Sequence, residues 1–232
     1  DIENSDGSIL IVDGVIASKS FDIRSACCNW RKSLEGRRFI LVSSVSVTIA
    51  LQENKESKIV NFTVGSWTFS QYHEACENSD FWALVISNLR CTGIETVDDK
   101  EQLLFAKYYF AGGCARWMFE FSHDEFIADF KGHLEKVKNY VLLFGGASGD
   151  EAIDAVNHLR GVTVLTTNNI KEKNYFFISQ YAAGELANKC EDKHTFLVDS
   201  YKKAIETKNP AYEGWIFEFD VDYQLGKAHR DK

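Results

Sequence analysis

The sequence predicts an α/β protein that is mainly helical, with a small, partly parallel sheet near the N-terminus. Three observations predict it. Two continuous apolar runs, Ile9-Leu10-Ile11-Val12 and Phe39-Ile40-Leu41-Val42, flank a helix-length connection from Phe21 to Leu34. That is the pattern of a βαβ unit with both strands buried. From Ser66 onward the periodicity is helical: Phe126, Phe130, Leu134 and Val137 recur at spacings of four, four and three and form one stripe. Proline, which breaks helices, occurs once, at Pro210.

Taken in order, the first run ends in Asp13-Gly14 and the second in Ser43-Ser44. Val45 to Leu51 and Ile59 to Val64 add β-rich segments around a polar stretch, as two strands or as a hairpin. Thr68 or Ser70 is placed to cap a helix through Glu77, and further helices are expected at about 80–88 and 98–110. Ser148 or Asp150 opens another that carries Ile153, Val156 and Leu159. Val162 to Thr166 and Tyr175 to Ile178 read as short strands. Residues 182–189, 196–206 and 211–226 complete the helices. Three regions follow: a sheet region over 1–66, a helical, lid-like region over 67–160, and a mostly helical region over 161–232.

The 232 residues carry 26 basic and 34 acidic side chains, a net charge of -8. A surface that negative repels phosphate backbones, so nucleic acid is an unexpected partner. No run of about 18 apolar residues occurs, so no membrane span is expected, and no charged-then-apolar leader opens at Asp1. The six cysteines include no C-x-x-C pair and are too sparse for a disulfide scaffold, which favours free thiols. His73 and Cys76 lie one helical turn apart with no second ligand pair, so no metal site is expected.

Few residues suggest chemistry. ILIVDG (9–14) has the form of a Walker B strand, whose terminal acid, Asp13, can meet nucleotide-bound Mg²⁺ at a strand end. FILVSS (39–44) resembles a sensor-1 strand, with Ser43 or Ser44 as the polar residue that reaches a γ-phosphate. Many parallel strands end this way without binding anything. No G-x-x-x-x-G-K-[ST] loop occurs, so the phosphate cradle is missing. LLFGGASGDEA (142–152) could turn amides toward an anion, but it lacks the lysine, Asp150 and Glu151 repel a phosphate, and a helix start fits it better. YYFAGGCARWMF (108–119) is the most distinctive segment. Gly112 and Gly113 followed by Arg116 would suit a lid arginine that contacts nucleotide. The same residues equally suit a tight turn with Arg116 paired to an acid and Trp117 and Phe119 in the core. No catalytic elbow or complete active site is present.

WTFSQYHEAC (67–76), KYYFAGGCARWMFEF (107–121), NYVLLFGGASGDEAIDAVNHL (139–159), YFFISQYAAGEL (175–186) and NPAYEGWIFEFDVDYQL (209–225) follow one another. In that order they resemble the C-terminal region of Crinkler effectors of oomycetes such as Phytophthora. The resemblance runs over nearly the whole chain. Its signatures are Gly112, Gly113, Arg116 and Trp117 in GG-x-AR-WMF, and Pro210, Gly214, Trp215 and Glu218 in NPA-x-x-GW-x-FE. It implies a partial P-loop NTPase-like core with a helical lid. Asp13 would match the Walker B acid, Ser43 or Ser44 sensor 1, and Arg116 the lid arginine. Trp215, Phe217 and Glu218 would match the junction where longer relatives begin a nuclease. It also implies secretion by the pathogen, translocation into the host plant cell and accumulation in the nucleus, with effects on cell death and immunity. The family's ubiquitin-like N-terminal module with its translocation motif and the Walker A loop are not among these residues, and a Walker A loop would lie upstream of Asp1.

The expectation is therefore an effector module that binds host proteins, with no cofactor and no catalysis of its own. A homo-oligomer is compatible with it, and Trp30, Trp67 or Trp82 could belong to the contact surface. The alternative is an ATPase module that takes ATP and Mg²⁺ once a Walker A half is supplied. Nuclease action needs residues the chain lacks.

Overall fold

The computed structural model describes residues 8–15, 20–33, 35–43, 60, 62–91, 93, 96–138, 140, 158–167, 170–208 and 210–230. The expected strand over 45–51, Ser44, and the helix expected to open at 148 lie outside these residues, except for 158–159, which are helical. The chain divides into two units between Thr63 and Val64.

The first unit is the βαβ motif. β1 (Ile9–Val15) pairs in parallel with β2 (Arg38–Ser43), joined through α1 (Ser20–Lys32). The register is Ile9 to Arg38, Ile11 to Ile40 and Val12 to Leu41, then slips before Val15 pairs with Ser43. The slip falls at Asp13-Gly14, where Gly14 takes φ 72, a left-handed value that glycine adopts without penalty. β1 thus continues past the expected stop at Asp13 to the buried Val15. One expectation needs correction: the strands are not buried on both faces. Ile9, Ile11, Ile40 and Val42 are between 45% and 63% exposed. With two strands and one helix, α1 covers only the alternate positions, and a second helix layer is what buries both faces of a parallel sheet.

The second unit is helical around one β-hairpin. α2 (Phe69–Ala75) opens on a reciprocal cap, in which the Gln71 N–H donates to Thr68 Oγ1 and the Thr68 N–H donates to Gln71 Oε1. α3 (Ser79–Leu89), α4 (Lys100–Ala111) and the short α5 (Ala115–Phe119) follow, and then α6 (His123–Lys136). α6 repeats the reciprocal cap with Ser122 and Glu125. β3 (Arg160–Thr167) and β4 (Ile170–Phe177) pair antiparallel. α7 (Gln180–Lys189), α8 (Lys193–Thr207) and α9 (Pro210–Arg230) complete the chain. The strand expected over 59–64 is not formed in the described residues 60 and 62–64.

One core runs through residues 72–216, with Tyr72, Leu103, Leu104, Trp117, Phe126, Phe130, Phe177, Phe196 and Tyr212 all excluded from water. Backbone hydrogen bonds knit four distant segments beside it. The Ser66 N–H donates to Val162 O (2.8 Å), Trp67 to Gly113 O (3.1 Å), Gly113 to Ile178 O (3.0 Å) and Ile178 to Leu159 O (3.0 Å). The Ser66 hydroxyl also accepts from the Val162 N–H at 3.0 Å.

Lys107 is fully buried in this core, where its ammonium donates to the Phe121 carbonyl at 2.8 Å. Burial lowers its amine to about 8, against the opposing pull of Cys91 and Glu125. An unfolded lysine titrates near pH ~10.4. Between those values the unfolded chain holds a proton that the folded chain does not, so this residue makes stability rise with pH. The buried thiols of Cys76 and Cys91, pushed up by burial, act in the opposite direction. Cys76, which Lys107 does not influence, cancels when wild type and Lys107→Met are compared; Cys91, whose thiol the Lys107 charge pulls down, does not. Urea midpoints at pH 8 and 10 should shift in favour of wild type by on the order of 1 kcal/mol per pH unit. A difference that does not change with pH would show that Lys107 is not desolvated.

Candidate functional site

Asp13 and Ser43 lie at the same carboxyl end of the parallel strand pair. Both are exposed, and Asp13 Oδ1 accepts from the Gly14 N–H at 2.7 Å. Ser44 lies outside the described residues. The other site residues belong to the second unit. Arg116 Nε meets Glu120 Oε2 one turn on in α5 at 3.2 Å, with both side chains about two-thirds exposed. An ion pair that wet contributes little.

The two signatures are mainly structural. Gly112 and Gly113 are buried in the turn between α4 and α5, and Gly112 holds φ 52 and ψ −132. Trp117 is 1% exposed and packs against Phe126 and Phe130. Pro210 is the first residue of α9, where its missing N–H costs nothing. Gly214 is exposed, and Trp215 is buried against Tyr212. Glu218 accepts from Gln180 Nε2 at 2.6 Å, which ties α9 to the start of α7. Phe217 is 64% exposed. Trp30, Trp67 and Trp82 are all half-buried: Arg37 lies over Trp30, Trp67 packs on Tyr72, and Lys100 lies over Trp82.

A cleft of about 510 Å³ is lined by Tyr109, Tyr181, Glu185, Lys193, Phe219 and Tyr223 among others. Burial and the nearby Glu185 and Glu218 push the Tyr109 phenol up, so it stays a neutral donor.

A second constellation lies on another part of the same unit. Asp129 and His133 stand one turn apart on α6, and His158 arrives from just before β3. Their ligand atoms all lie within 4.8 Å of one another. His133 Nε2 faces Asp129 Oδ1 at 3.5 Å, and Trp117 Nε1 donates to Asp129 Oδ2 at 2.8 Å. The His133 and His158 rings stack with centroids 3.8 Å apart and an 11° tilt. His73, the histidine weighed from the sequence, is exposed and lies 3.9 Å from Glu77. The i, i+4 spacing of Asp129 and His133 is readable in the sequence; the return of His158 from 25 residues away is not.

No family model, curated protein or solved structure matches the chain. The functional reading therefore rests on the residues and on the likeness of the motifs.

Proposed function

We propose that the chain is an effector module of the Crinkler type, which alters host cell death and immunity by binding host proteins, in the plant nucleus, without catalysis of its own. The cleft lined by Tyr109, Tyr181 and Phe219 is the observation that carries this reading. Its volume lies within the ~300–1,000 Å³ typical of ligand sites. Its lining combines tyrosine and phenylalanine rings with one acid and one base. Rigid amphipathic rings are the side chains that anchor protein interfaces, and the charged pair can orient a peptide's polar groups. Phe219, which follows the second signature in sequence, lines the cleft.

The ATPase reading is the second. It is supported by Asp13 and Ser43 at one carboxyl end of parallel strands, where nucleotides bind in open α/β sheets. It needs a phosphate loop from elsewhere.

The test is transient expression in leaf cells with cell death as the readout. Tyr109→Ala combined with Lys193→Glu should abolish the effect, and Asp13→Asn and Arg116→Ala should leave it intact. The reverse pattern, together with saturable binding of a fluorescent ATP analogue tighter than ~1 mM, would overturn the binding reading.

A further inference from the structure

We infer that Asp129, His133 and His158 form a binding site for a divalent d-block cation, zinc above all, which clasps α6 to the segment that leads into β3. Two imidazoles and one carboxylate are the borderline set that suits zinc, and magnesium or calcium would ask for more oxygens. The spacing is close to what an ion needs. Tetrahedral zinc with bonds of about 2.0–2.1 Å holds its ligand atoms roughly 3.3–3.4 Å apart. The donors here are all within 4.8 Å, and one pair already stands at 3.5 Å.

The surroundings orient the set. The Trp117 indole holds Asp129 Oδ2, which leaves Oδ1 to face inward. Outer partners of this kind fix a ligand carboxylate and are part of a metal site's design. His133 is 7% exposed, so its alignment is set by packing. Only the ring stack must change: lone pairs of parallel imidazoles run side by side, and rotation of His158 about its Cβ–Cγ bond turns its nitrogen toward the other two. Three protein ligands leave a fourth position for water. The ion would join residues that the chain separates by 25 positions, at the point where Trp117 packs on α6.

The experiment is titration of the chelator-treated chain with zinc chloride, followed by equilibrium dialysis and thermal melting. One equivalent should bind at about micromolar or tighter, with a rise in Tm. His158→Gln and Asp129→Asn should each weaken binding at least about tenfold, as should Trp117→Phe, and His73→Gln should not. Cobalt(II) added to the native chain supplies a readout that needs no variant to fold. Visible bands of a tetrahedral nitrogen–oxygen site, lost on adding zinc, are expected. Absence of uptake below ~100 µM overturns the proposal. So do a thiolate charge-transfer band and uptake undiminished in His158→Gln and Asp129→Asn.

Discussion

Gly112→Ala should unfold the second unit or bring it to the edge of unfolding. Gly112 holds φ 52 and ψ −132, a region of backbone space that only glycine occupies without strain. A side chain there also has no room. Its Cβ would fall on the Ile178 carbonyl oxygen and lie 2.7 Å from both the Ile178 carbonyl carbon and Ser179 Cα. These are backbone atoms, so no rotamer change relieves the clash. Strain of about 1–3 kcal/mol adds to overpacking of about 1–3 kcal/mol or more, against a total stability of roughly 5–15 kcal/mol. Gly132→Ala is the internal contrast. It lies within α6 with open space around its Cα, so the added methyl should stabilise by up to about 1 kcal/mol. Urea denaturation followed by far-UV circular dichroism compares the two. A Gly112→Ala variant within about 1 kcal/mol of wild type would falsify the packing account.

Trp117→Ala should cost about 3–5 kcal/mol, the range for removing a large aromatic from a core. The indole is 1% exposed, with ring centroids 5.1 Å from Phe126 and 6.1 Å from Phe130. It also donates the 2.8 Å hydrogen bond to Asp129, and its loss leaves a half-buried carboxylate oxygen without that donor. Trp117→Phe separates the two contributions, because it keeps most of the apolar ring and removes the N–H. Its expected cost is about 1–3 kcal/mol, the penalty for a stranded acceptor. Equal losses in the two variants would mean that packing contributes nothing beyond the hydrogen bond. Near-UV circular dichroism reports whether the surrounding rings remain ordered.

The parts of the fold written in local patterns are the ones readable without coordinates. The parallel pairing of β1 and β2 follows from two short apolar runs around a helix, and α6 from the Phe126, Phe130, Leu134 stripe. Thr68 at the start of α2 is equally visible, because a cap is a contact between neighbours in sequence. What escapes depends on contacts across long separations. The open face of Ile9, Ile11, Ile40 and Val42 reflects the absence of a second covering layer in the described residues, which an apolar run cannot reveal. Lys107 looks like an ordinary helix-surface lysine until the Phe121 carbonyl is placed beside it. The glycine pair in YYFAGGCARWMF could serve a nucleotide lid or a packing turn. Gly112 against Ile178 and Arg116 paired with Glu120 fit the packing turn. Asp129, His133 and His158 could not be assembled from spacing, since helical periodicity links only the first two.

The meeting of Ser66, Gly113, Val162 and Ile178 has a consequence for how the chain is made. A ribosome releases residues from the N-terminus onward, and helices near the growing end can form as they emerge. The Ser66 amide and hydroxyl meet Val162, and the Ile178 carbonyl accepts from Gly113, across separations of up to about a hundred residues, so these bonds wait until β3 and β4 have been made. Until β3 and β4 have been synthesised, the backbone groups of Ser66 and Gly113 lack these partners. The glycine turn at 112–113, which accepts from Trp67 and donates to Ile178, is a joint of that delayed closure.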